Sequence, residues 1–107
     1  MLRLVAVAAA ILATGAAFSQ TIEEQMQARE IANILASEEP CKLSYNQSAI
    51  QKLIDAKLKA SDINSPVMIP YYTNATAMKI EKISPSQLTA HCVQMKRVSE
   101  HYGLLAG

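Results

Sequence analysis

Tryptophan is absent and phenylalanine occurs once, so no core can be centred on large fused rings. Glycine is scarce too, with three in 107 residues. Only Gly103 and Gly107 follow the N-terminal apolar run, which excludes a glycine-rich phosphate cradle. No G-x-S-x-G and no H-E-x-x-H is present. An excess of one charge is also missing: ten Lys and Arg stand against nine Asp and Glu, mixed along the chain. Nucleic acid binding needs a basic surface to neutralise phosphates, and this balance supplies none. A polybasic membrane patch is excluded on the same ground.

Long apolar runs are lacking except at the start. Arg3 provides a minimal positive region, and Leu4 to Ala17 carries no charge. Ala17-Phe18-Ser19 places small residues where a signal peptidase reads. A spanning helix needs roughly 20 apolar residues, and this run is shorter. We therefore expect residues 1–19 to be a signal peptide cleaved after Ser19, with Ala17 the next choice. Residues 20–107 then form a single domain, periplasmic or secreted, with no stable membrane insertion after cleavage.

The chain has two cysteines, Cys41 and Cys92, both beyond the signal. Export leads to an oxidising compartment, so the two are expected to pair. Closing a loop of about 50 residues is worth about 4 kcal/mol in the chain-entropy model. That matters in a domain this small, which buries only about 60 percent of its unfolded surface. A metal site does not fit. His91 adjoins Cys92, neighbouring helical positions diverge by about 100°, and no second Cys-His pair exists. No cofactor or metal is expected.

Four helices are expected, giving an all-α bundle. Thr21-Ile22-Glu23-Glu24 reads as a capping box opening a helix to about Ser37, with Ile31, Ile34 and Leu35 on one face. Pro40 stops it. Ser44-Tyr45-Asn46-Gln47 reads as a second box, and its helix runs to about Ala60 on Ile50, Leu53, Ile54 and Leu58. Ser65-Pro66 reads as N-cap and first position of a third helix to Ile80, with Pro70 in the first turn. Tyr71, Tyr72, Thr73 and Thr76 also suit strands. Ser84-Pro85-Ser86-Gln87 is the strongest start. Leu88, Cys92, Met95, Val98 and Tyr102 form its apolar stripe, and Gly103-Leu104 reads as a left-handed stop followed by an apolar contact.

Candidates for chemistry are few. His91 and His101 lie roughly 80° apart on the last helix. Nothing selects a carboxylate partner for either, so no catalytic residue is assigned and no enzyme is expected. Met26, Met68, Met78 and Met95 suit either gap-filling in a small core or an adaptable binding surface, and core is the preferred reading. If a binding surface exists, Met68, Tyr71, Tyr72 and Met95 are its candidates. Asn46-Gln47-Ser48 and Asn74-Ala75-Thr76 match the glycosylation sequon, which matters only in a eukaryotic secretory pathway.

The segment Ile83-Ser84-Pro85-Ser86-Gln87-Leu88-Thr89-Ala90-His91-Cys92 resembles the helix start that leads into the second cysteine of the HdeA-type periplasmic acid-stress chaperones. Pro40-Cys41-Lys42-Leu43 is similar to the entry around their first cysteine. The chain is similar also to small secreted proteins of alphaproteobacteria. The resemblance implies a non-enzymatic protein that binds unfolded clients at low pH through exposed apolar helix faces. Physical chemistry is compatible with that role. Below about pH 3 the carboxylates protonate and the domain carries a charge near +12, whose self-repulsion loosens a marginal core. The alternative is a secreted ligand- or protein-binding module, an effector or inhibitor. Either reading admits protein partners, including a second copy in a homodimer.

Overall fold

A computed structural model describes residues 21–107. The expected signal segment and its cleavage site at Ser19 lie outside them. Four helices follow in order: α1 Ile22–Ala36, α2 Gln47–Lys57, α3 Ser65–Ile80 and α4 Pro85–His101. Their direction alternates. Glu30 in α1 meets Lys57 at the end of α2 (3.4 Å) and Tyr102 after the end of α4 (2.7 Å). Ser37, after α1, meets His91 in the first half of α4. Thr21 and Asp62 share one depression while Ala36 and Ile80 share another, so α3 runs alongside α1 in the same direction.

The core has two parts, both built on α1. Ile34, Tyr45, Ile50, Leu53 and Leu104 are buried where α1, α2 and the C-terminal turn converge. Ala28, Ile31 and Ile69 form the second part, between α1 and α3, with Leu58 and Tyr72 packed against them. The Cys41–Cys92 disulfide is formed, with a Cα–Cα separation of 5.2 Å. It fastens the turn between α1 and α2 to the middle of α4, as expected.

The first and last helices start where the sequence places them. The Thr21 hydroxyl accepts from Glu24 N at 3.1 Å. In α4 both halves of the capping box are present: Ser84 Oγ accepts from Gln87 N, and Gln87 Oε1 accepts from Ser84 N. The stop is a complete glycine motif. Gly103 has φ +65°, its N–H donates to Glu100 O, and the N–H of fully buried Leu104 donates to Ser99 O.

Two starts differ from expectation. Ser44 does not cap α2; Asn46 does, its Oδ1 accepting from Ala49 N at 3.1 Å. The reason is long-range. Residues 44–46 pair with the C-terminal segment, Asn46 N donating to Leu104 O and Ala106 N to Ser44 O, around a Tyr45–Leu105 bridge. This extended stretch sends the Tyr45 side chain into the core, where its hydroxyl donates to Ile34 O. At its other end α2 stops at Lys57 rather than Ala60, because Leu58 turns out of the helix to pack against Ala28, Ile31 and Ile69.

In α3 the helix begins at Ser65 itself, one residue earlier than expected, and the capping acceptor is Asp62. Its carboxylate accepts from Asn64 N, from Ser65 N and from the Ser65 hydroxyl. Pro70 lies in the second turn rather than the first. The helix continues through it to Ile80, and the Thr73 hydroxyl donates to Ile69 O. A strand here is excluded.

Lys42 is the one described non-glycine residue with positive φ, at +54°. The N–H of Lys42 donates to Glu39 O and that of Leu43 to Glu38 O. This is the closure that glycine makes after α4, here with lysine in the left-handed position.

Candidate functional site

The segment from Ile63 to Met78 contains no charged residue. A surface helix ordinarily carries charge opposite its buried stripe, and α3 does not. At about 100° per residue, Ser65, Ile69, Tyr72 and Ile80 share the side turned to the core. Val67, Tyr71 and Met78 fall within roughly 40° of one another on the opposite side. Val67 is 73 % exposed, Tyr71 66 % and Met78 59 %, and Ile63 just before the helix is 77 % exposed. Exposed Asn74 falls on the same side, so the uncovered face of α3 is uncharged and mostly apolar.

The anticipated site residues do not gather in one pocket. Tyr71 lies on the outer face of α3, and Met68 is half-buried at its edge. Tyr72 turns inward, half-buried against α1, with the Arg29 guanidinium 4.8 Å from its ring centroid. The two tyrosine rings meet edge to face at 5.9 Å. Met95 is buried on another helix. The methionines divide accordingly: Met95 fills the core, whereas Met26 and Met78 are exposed. Ile63 and Val67 are the surface residues that the sequence reading passed over, and Met78, for which core was the preferred reading, is on the surface with them. The uncharged run and the four-residue spacing of 63, 67 and 71 are the signals that mark them.

A groove of about 650 Å³ separates α1 from α3, lined among others by Met26, Glu30, Asn33, Tyr72 and Lys79. It carries charge of both signs on its walls. The histidines are engaged elsewhere. Ser37 Oγ donates its single proton to Asn33 O at 2.6 Å, so the 2.8 Å contact with His91 Nε2 requires that nitrogen to donate. His101 meets the Tyr102 ring edge to face. Among the described residues no group of three or more His, Cys, Asp and Glu could hold a metal ion. No described helix is long and apolar enough to cross a membrane.

Three carboxylates tie the tertiary structure. Glu38 Oε2 accepts from Tyr45 N at 2.9 Å, where α2 is entered. Glu30 accepts from the Tyr102 hydroxyl and pairs with Lys57. Contact with that hydroxyl holds Lys57 above its ordinary value; partial burial works against the rise and Glu30 adds to it. Burial acts to raise Asp62, but the hydrogen bonds from Ser65 and Asn64 outweigh it and hold the carboxyl below its ordinary value. Burial pushes the Tyr45 phenol up.

Comparison with family models, with characterised proteins and with solved structures returned no match to the chain.

Proposed function

We propose that this is a non-enzymatic exported protein that binds other polypeptides through apolar helix faces, and that its role is to hold unfolded clients during acid stress in the periplasm. The observation that carries the proposal is the outer face of α3: Ile63, Val67, Tyr71 and Met78, exposed on a segment without charge. Exposed apolar patches of this kind mark interaction sites.

The acid dependence rests on how the fold is tied. Asp62 caps α3, Glu38 holds the entry to α2, and Glu30 joins α1 to the ends of α2 and α4. Protonation removes the charge from each of these acceptors while the cations remain. The helices then separate and add the inner faces of α1 and α3 to the apolar surface already present. The Cys41–Cys92 bond limits the expansion.

The test is light scattering of an acid-unfolded client at pH 2–3 with increasing protein, with and without reductant. Suppression of aggregation supports the role; none at molar excess removes it. The second reading, a partner-binding effector or inhibitor, is favoured by one feature: the α3 face is exposed in the folded protein, before any acid transition. Binding of a folded partner at pH 7 that charge introduced at Val67 abolishes would select it.

A further inference from the structure

We infer that the groove over the disulfide takes a single-chain anionic amphiphile, a fatty-acid-like carboxylate bound as a free monomer. The groove is about 400 Å³ and runs between the α1–α2 turn and α4, a volume within the usual range for small-ligand sites. Pro40, Leu43, Leu88 and Val93 line it together with both half-cystines. Thr89 adds no free donor, since its hydroxyl is turned to Pro85 O at 3.0 Å. The lining suits an alkyl chain.

Charge selects the head group. Lys42 on the turn and Lys96 on α4 stand on opposite walls, and no carboxylate lines the groove. Neither ammonium forms an ion pair among the described residues. Of the acidic residues close by in the chain, Glu38 accepts from Tyr45 N, Glu39 lines a separate depression with Ala36, Ile80 and Glu81, and Glu100, one turn beyond Lys96, is not among the lining residues. The left-handed turn and its two closing hydrogen bonds fix the Lys42 backbone at the edge of the groove. Two unpaired cations over an apolar trough match a molecule with one anionic end and one alkyl chain. No residue of α3 lines this groove, so the inference stands apart from the role proposed for the α3 face.

The test is isothermal titration at pH 7.5 with decanoate below its micellar concentration, beside decanol, decyltrimethylammonium, butyrate and phosphatidylglycerol vesicles. The expected result is one decanoate per chain, with the other probes markedly weaker. The double variant Lys42→Gln/Lys96→Gln weakens decanoate about tenfold, the loss of two partly desolvated charge contacts. Val93→Asn, which keeps both lysines, weakens it as well. All three positions are exposed, so circular dichroism and Tm should match the parent. The inference is overturned if decanoate does not bind at millimolar concentration, or if decanol or the cationic amphiphile binds as well. Affinity unchanged in the double variant, or tighter binding to vesicles than to monomer, overturns it too.

Discussion

Removing the Asp62 carboxylate should detach the start of α3. It accepts from Asn64 N, Ser65 N and the Ser65 hydroxyl, and Ser65 is fully buried. Loss of a helix cap costs about 1 kcal/mol. The hydrogen bonds that Ser65 loses to a charged acceptor add about 1–3 kcal/mol. Asp62→Ala should therefore cost about 2–4 kcal/mol, a large share of a typical 5–15 kcal/mol. The assay is urea denaturation followed by far-UV circular dichroism, comparing midpoints at constant slope. The pH dependence adds a second constraint. The folded carboxyl titrates below the ordinary aspartate value of about 3.9. Its contribution is thus fully present above that value and is lost as pH falls through the folded value. The gap between parent and variant should be constant from pH 7 to 5 and shrink below about pH 4. A gap under about 0.5 kcal/mol at pH 7, within the range of ordinary surface substitutions, would refute the capping role. So would a gap that persists undiminished as the carboxyl is protonated.

Other perturbations probe separate parts of the fold. Replacing both cysteines by serine should lower stability by about 4 kcal/mol, read as a fall in the urea midpoint. Gly103→Ala should cost about 1 kcal/mol from the left-handed backbone alone, since an added Cβ meets nothing within 4 Å; thermal denaturation measures it. Gln27 Oε1 is buried without a hydrogen-bond partner. Gln27→Met should therefore leave stability unchanged or raise it by about 1 kcal/mol, and a clear fall in Tm would show that the oxygen has a partner in solution.

Legibility in the sequence followed the range of the interaction. The Ser84 box and the Gly103 stop are decided within a few residues, and both stand as read. The disulfide followed from compartment and cysteine count, without geometry. Ser44 carried the same local signal as Ser84, yet pairing with residues 104–106 holds it extended and passes the cap to Asn46. Nothing within four residues of Ser44 encodes that pairing. Asp62 was missed because it caps from outside the usual window, at the head of a turn rather than beside the helix. Met68, Tyr71, Tyr72 and Met95 were grouped by residue type. Helical phase separates the first three around α3, and Met95 belongs to the core.

The role of the outer α3 face is tested most directly by client aggregation at pH 2–3, with the protein beside the triple variant Val67→Asn/Tyr71→Asn/Met78→Asn. Asparagine is uncharged at every pH used, so the variant removes apolar surface without altering net charge. The expected result is suppression by the parent and its loss in the variant, with equal circular dichroism at pH 7. Equal suppression by both would contradict the assignment of this face as the binding surface.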